Sequence, residues 1–170
     1  MDNTLALERL QIAAGIPPIA LTTARTGYVV SMKNYRRCLV LFFKGIGTAG
    51  DDPTITLAQG TDIAFGTTKA LTFTKVWTKM DLTKLSDVAQ WTEVTQSAGA
   101  TYTDATSAEQ MALWAIEITT ADLDVENGYD CIRASISDVG TNSQIGCLLY
   151  IMLDPLYPAS PENMRGVIAD

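Results

Sequence analysis

The sequence predicts an all-β protein: an antiparallel β-sandwich, of which a jelly roll is one form, with a short amino-terminal helix and an extended carboxyl-terminal arm. Three observations carry that prediction. Two continuous apolar runs, Cys38-Leu39-Val40-Leu41-Phe42-Phe43 and Ile145 to Leu153, are too short to span a membrane and have the composition of strands covered on both faces. Several other segments alternate apolar and polar residues, the period of a strand with one buried face. Short clusters of Gly, Asn and Asp punctuate the chain at the spacing of turns.

Taken in order, Asp2 to Ala14 has Leu7, Leu10 and Ala14 at helical spacing with Asp2, Asn3 or Thr4 available as a cap, so a short helix is expected, ended by Gly15. Pro17-Pro18 then requires an extended segment, and residues 1–25 are expected to form a helix and arm. The sandwich is expected over residues 26–153, beginning with Tyr28-Val29-Val30-Ser31-Met32. Asn34 to Gly45 follows as the core strand, with the polar, basic head Tyr35-Arg36-Arg37. Gly45 to Pro53 reads as a loop, and its Gly-x-Gly-x-x-Gly spacing is no dinucleotide site, because a strand pattern, Thr54-Ile55-Thr56-Leu57, follows it instead of a helix.

Leu71 to Trp77 and Trp91 to Thr95 read as strands, and Leu82, Leu85 and Val88 suggest one or two helical turns within Met80 to Gln90. A short edge strand is expected at Thr101-Tyr102-Thr103. Met111 to Thr119 puts Ala112, Trp114, Ile116 and Ile118 on one face, and Cys131 to Ser137 does the same with Ile132, Ala134 and Ile136. The loop Asp138 to Ser143 suggests that Asp130 to Ser137 and Gln144 to Leu153 form a hairpin, and the latter segment is the expected partner of Asn34 to Gly45. About eight strands result, as in two-sheet antiparallel folds. Residues 154–170 carry Pro155, Pro158 and Pro161 at every third position, which suits an extended arm and excludes an interior strand.

At 170 residues the chain is long enough to bury one core without disulfides. A net charge of −7 gives no electrostatic footprint for nucleic acid. No segment has the length and hydropathy of a membrane helix, so neither nucleic acid nor a membrane is an expected partner. The three cysteines, Cys38, Cys131 and Cys147, lie in apolar strand segments without Cys-x-x-Cys spacing, the pattern of buried reduced thiols in a reducing cytoplasm.

The chain contains no histidine, which excludes Ser-His-Asp and Cys-His catalysis and imidazole-ligated metals. Two acidic clusters remain. Asp51-Asp52 lies in a glycine loop, while Asp122-x-Asp124-x-Glu126 approaches a calcium loop with its glycine one place late and Arg133 where the terminal Glu belongs. Both read as solvated turns, and no cofactor is implied. Trp77 and Trp91 are candidates for stacking on sugars, whereas Trp114, on an apolar strand face, belongs to the core. Arg36 and Arg37 suit a carboxylate or phosphate, or simply a hydrated strand start.

Four pieces in order resemble a family of small proteins encoded among the head genes of tailed bacteriophages and prophages. They are Tyr35-Arg36-Arg37 before an apolar strand, Thr54-Ile55-Thr56-Leu57-Ala58-Gln59-Gly60-Thr61-Asp62 after a glycine loop, Ala121-Asp122-Leu123-Asp124 leading to Gly128-Tyr129-Asp130-Cys131-Ile132-Arg133, and Leu153-Asp154-Pro155-Leu156-Tyr157-Pro158 after the last strand. The likeness runs from Lys33 to Pro158; Lys79 to Gln90 has no counterpart in it. The resemblance implies a non-enzymatic structural protein of the virion, a head decoration or cement protein made in the bacterial host cytoplasm and placed on the capsid surface. Its implied partner is the major capsid protein, and a homo-oligomer, by analogy a trimer, is implied as well. The contacts expected on this basis are Leu7 and Leu10 from the amino-terminal segment, Arg36 and Arg37, and Leu156, Tyr157 and Met164 from the arm. The alternative is a tail, adaptor or host-attachment protein, including a carbohydrate-binding one that uses Trp77 or Trp91.

Overall fold

The computed structural model describes residues 5–81, 90–140, 142–164 and 167. Eleven strands run among the described residues: β1 (Leu10–Ala20), β2 (Arg25–Ser31), β3 (Tyr35–Lys44), β4 (Thr54–Gly60), β5 (Thr68–Ala70), β6 (Phe73–Asp81), β7 (Thr92–Gly99), β8 (Thr101–Thr103), β9 (Met111–Thr119), β10 (Cys131–Ile136) and β11 (Ile145–Pro155). They form a six-stranded sheet in the order β1-β11-β3-β9-β6-β7 and a five-stranded sheet in which β2-β10-β4-β5 is joined by β8 alongside β4. Every pairing is antiparallel. The set β1-β11-β3-β9 facing β2-β10-β4-β5 has the strand order of a jelly roll, with β6 and β7 extending one sheet.

The core lies between the sheets, where alternation puts it. Cys38, Val40 and Phe42 of β3, Leu148, Tyr150 and Met152 of β11, and Trp114, Ile116 and Ile118 of β9 are buried against Val30, Ile55, Leu57, Ile132, Ala134 and Ile136 of the other sheet. The expected pairing of the two apolar runs is present: β3 and β11 stay in register from Lys44 opposite Gly146 to Arg37 opposite Leu153. The Phe42 and Tyr102 rings pack on Trp114, with centroids 5.3 and 5.0 Å away. One hydroxyl ties the sheets together. Tyr150 Oη accepts from the Ala134 N–H at 2.8 Å and donates to the Tyr28 carbonyl at 3.0 Å, where the β10–β2 register shifts between Arg133 and Ser135.

Among the described residues only the inner face of β3 and β11 is covered. On the outer face, residues directly opposite one another form apolar rows: Ile12, Ile151 and Leu39 ending on Glu117, then Ala14, Leu149, Leu41, Ala115 and Trp77. The runs expected to be covered on both faces are thus covered on one.

Three local expectations are corrected. The helix expected over residues 2–14 is, among the described residues, a single 3-10 turn at Ala6–Glu8, and from Leu10 the chain is strand β1. Eight positions of β11 pair with β1 along this edge, and an isolated helix of this length is marginal in water. Pro17 and Pro18 are tolerated because β1 is an edge strand whose register shifts between Ile16 and Ile19. The sandwich therefore starts at Leu10, not residue 26.

The hairpin expected from residues 130–137 and 144–153 is absent: β10 pairs with β2 and β4, and β11 with β1 and β3. The 137–144 connection crosses between sheets, anchored where Val139 N–H donates to the Leu21 carbonyl. The arm is also less free than its prolines suggest. A 3-10 turn forms at Pro161–Asn163, Met164 packs on the core, and buried Val167 accepts from the Ser31 N–H at 2.7 Å. Of residues 80–90, where helical turns are expected, 80 and 81 end strand β6, 90 has no regular structure, and 82–89 lie outside the described residues.

Candidate functional site

Antiparallel pairing gathers the starts of β1 and β3 and the ends of β9 and β11 at one end of the sandwich. Leu10 stands opposite Leu153, Arg37 opposite both Leu153 and Thr119, and Tyr35 opposite Pro155. The basic head of the core strand, the amino-terminal strand and the carboxyl-terminal arm, far apart in sequence, meet there. Asp154 adopts a positive φ of 54°, a left-handed conformation that a short polar side chain tolerates better than most. The turn brings its carboxylate 2.5 Å from Arg37 Nε, while Arg37 Nη1 lies 2.9 Å from Glu117 Oε1. These bonds raise the Arg37 guanidinium above its ordinary pKa, Asp154 contributing most, and hold Asp154 below the usual carboxylate range. Both groups are well exposed, so the pairs fix geometry more than they stabilise.

Arg36 differs from Arg37. It shares the inward parity of Cys38 and Val40 but lies beyond the covered core, at the mouth between the sheets. Exposed, it makes no hydrogen bond or ion pair with the described residues, although its charge helps to lower the pKa of nearby Asp154. It borders two clefts. One, about 560 Å³, is lined by Met32, Tyr35, Leu123, Val125 and Leu156, with Lys33, Thr120, Gly128 and Asp130. The other, about 430 Å³, is lined by Arg9, Asp154, Pro155, Leu156 and Pro158. The Leu156 N–H donates to the Asn34 carbonyl at 2.9 Å, so the arm is pinned while its side chain stays 43% exposed. Val125 and Tyr157 are also exposed, and Lys33 stands 3.9 Å from Asp130. The result is an unpaired guanidinium among exposed apolar side chains, the residue mixture that anchors protein interfaces.

The other expected contacts are placed as follows. Leu7 is exposed in the 3-10 turn, Leu10 is half-buried at the start of β1, and Arg37 is committed to its two carboxylates. Met164, expected to bury against a neighbour, packs on the core of its own chain. Chain reversal at Pro161–Asn163 makes that possible.

The acidic clusters hold loops. Asp52 Oδ1 accepts from Ser107 Oγ and Ala108 N–H, and Asp51 accepts from Asn142 Nδ2. Asp122 accepts from the Thr119 N–H and hydroxyl; Asp124 pairs with Lys69 and Asn127, and Lys69 is the main cause of its lowered pKa. Among the described residues no three His, Cys, Asp or Glu side chains gather as metal ligands. Cys38 and Cys131 are buried free thiols, and Cys147 is half-buried on the outer sheet face. Trp114 is fully buried, whereas Trp77 and Trp91 are exposed.

Lys44 is the residue that sequence reasoning passed over. Read as the polar end of an apolar run, it is fully buried, with Nζ donating to the carbonyls of Gln110 at 2.8 Å, Gly45 at 3.3 Å and Ala108 at 3.4 Å. Burial lowers its pKa to about 8, against an opposing pull from Asp52 and Asp104. Its parity, shared with Cys38, Val40 and Phe42, was the available signal.

No known protein family matches the chain, and no curated protein matches it. Among solved structures, the SPBc2 prophage-derived protein YomS aligns over 88% of this chain and 98% of its own, with 13% identity and a TM-score of 0.43. The VP2 subviral particle of infectious bursal disease virus aligns over 95% of this chain and 46% of its own, with 10% identity and a TM-score of 0.20. Both scores are too low for either likeness to carry a family or a role.

Proposed function

We propose that this protein is a non-enzymatic structural component of a tailed-bacteriophage virion, one that decorates or cements the head by binding where major capsid subunits meet. The observation that carries the reading is the convergence at one end of the sandwich. There the segments that resemble phage head proteins, Tyr35-Arg36-Arg37 and Leu153 to Pro158, present unpaired Arg36 beside exposed Leu156 and Tyr157. A cement protein needs such a surface and no reactive groups. It stabilises a shell because it binds the assembled state and not the dissociated one.

The test is occupancy on heads of the phage that encodes the chain, stripped of the protein and re-loaded. Wild type should co-sediment with the heads at a fixed ratio to the shell subunit. Arg36→Ala with Leu156→Asp should bind at least tenfold more weakly, since truncating central Arg and apolar anchors commonly costs about 2 kcal/mol each. Unchanged occupancy would reject the proposed surface. Location of the protein at the tail would reject the head role and favour the adaptor or host-attachment reading, for which exposed Trp77 and Trp91 supply aromatic surface.

A further inference from the structure

The outer face of the six-stranded sheet is apolar from β1 to β9 and continues onto Trp77 of β6, between Lys75 and Lys79, and none of the described residues covers it. The outward side chains of β11, alternating from Ile145 to Leu153, include no charge, and β3 adds Leu39, Leu41 and Phe43. Ile12 is 53% exposed, Phe43 40% and Trp77 39%. A sheet open to water on one side ordinarily shows polar residues on that side. Here both central strands are apolar at both parities, the pattern of strands covered on two faces.

We propose that this face is the interface with a second copy of the same chain, the two six-stranded sheets stacking about a two-fold axis. Two observations select a second copy. The first is size. Five adjacent strands at about 4.8 Å spacing, over seven residues at about 3.4 Å each, give a face of roughly 570 Å² before rim side chains are counted. That reaches the lower range of specific interfaces, about 600 Å² per partner, and the upper range of apolar patch on a monomer.

The second is charge. Among the described side chains at the margin, Arg37 pairs with Glu117 at 2.9 Å and with Asp154, Lys75 pairs with Glu93 at 3.0 Å, and Lys79 adds a third cation against these three carboxylates. The face is therefore locally neutral, and a copy with net charge −7 meets no repulsion across it. A lipid surface would call for a net basic surround, whereas here Arg37 and Lys75 are each offset by carboxylates. An isologous contact places an apolar centre on an apolar centre, as sheets pack about 10 Å apart in sandwiches, and it closes at two copies. The inference stands independently of the virion role.

The test is analytical ultracentrifugation of the isolated full chain from about 1 to 200 µM, a range suited to an interface of this size. Mass should double across it, and Leu41→Asp, at the centre of the face, should raise the dissociation constant at least tenfold. Tyr28→Asp, on the exposed outer side of the other sheet, should leave it unchanged. Near-ultraviolet circular dichroism checks that each variant is folded. Cys147, inside the face, gives a second readout on the unmodified protein: its maleimide labelling should slow as concentration rises. A monomer throughout, a trimer, or a dimer indifferent to Leu41→Asp overturns the proposal. Labelling that slows only on phage heads also overturns it, assigning the face to the shell while leaving the head role intact.

Discussion

Replacing Tyr150 with phenylalanine removes one buried oxygen and leaves the ring in place. That oxygen joins the two sheets, accepting from Ala134 N–H at 2.8 Å and donating to the Tyr28 carbonyl at 3.0 Å. The β10–β2 ladder shifts register at this point, so Ala134 lacks its regular partner on β2. Gly27 leaves room there, since a Cβ at that position would stand 2.5 Å from the Ala134 carbonyl oxygen. In Tyr150→Phe a buried N–H and a part-buried C=O both lose their partner. Each orphaned group costs about 1–3 kcal/mol, so a loss of about 3 kcal/mol is expected. With a urea m-value of about 2 kcal/mol/M, the unfolding midpoint should fall by about 1.5 M. Hydrogen exchange at Ala134 should accelerate markedly in the same variant. A midpoint shift below about 0.3 M, with Ala134 still protected, would refute the reasoning: it would mean that β2 closes its own ladder and the hydroxyl is incidental.

Two further outcomes follow from the structure. Lys44 has a folded-state pKa of about 8 against an ordinary 10.5, so between those values the folded protein binds fewer protons than the unfolded chain. Its contribution is fully present above pH 10.5 and is lost as pH falls through about 8. Relative to Lys44→Met, wild type should therefore gain up to about 3 kcal/mol as pH rises across that window, measured by urea unfolding at each pH; parallel curves would refute it. Val167, 4% exposed, packs on the core and accepts from Ser31 N–H. Val167→Ala should cost about 2 kcal/mol from lost apolar burial and the cavity left behind, and an unshifted melting curve would show that this part of the arm is not docked.

Strand faces were legible because side-chain parity is a local property. Ala112, Trp114, Ile116 and Ile118, and again Ile132, Ala134 and Ile136, face inward as their spacing requires. The pairing of the two apolar runs was legible too, since few other segments match their hydropathy. The amino-terminal segment was not. Leu7, Leu10 and Ala14 satisfy a helical period, but the free edge of β11 offers hydrogen bonds that a short helix cannot match. The supposed hairpin failed for a related reason: the Asp138 to Ser143 loop is compatible with a turn within one sheet or a crossing between two. The choice belonged to β2 and β4, which flank β10, and to β1 and β3, which flank β11.

The site shows the same division. Tyr35-Arg36-Arg37 and the proline arm were visible as segments, while the difference between the two arginines was not. Arg37 is tied by Asp154 and Glu117, and Arg36 is left at the mouth between the sheets, because antiparallel register sets which end each strand presents. The sequence by itself determined the β class, the inward faces, the thiols and the absence of imidazole chemistry, all of which depend on residue type and near neighbours. Only the tertiary structure decided the strand order, the burial of Lys44, the docking of Val167 and the bare outer sheet face. Each of these rests on contacts between residues distant along the chain, whose pairing is chosen by total burial and hydrogen bonding across the sandwich and not by any local pattern.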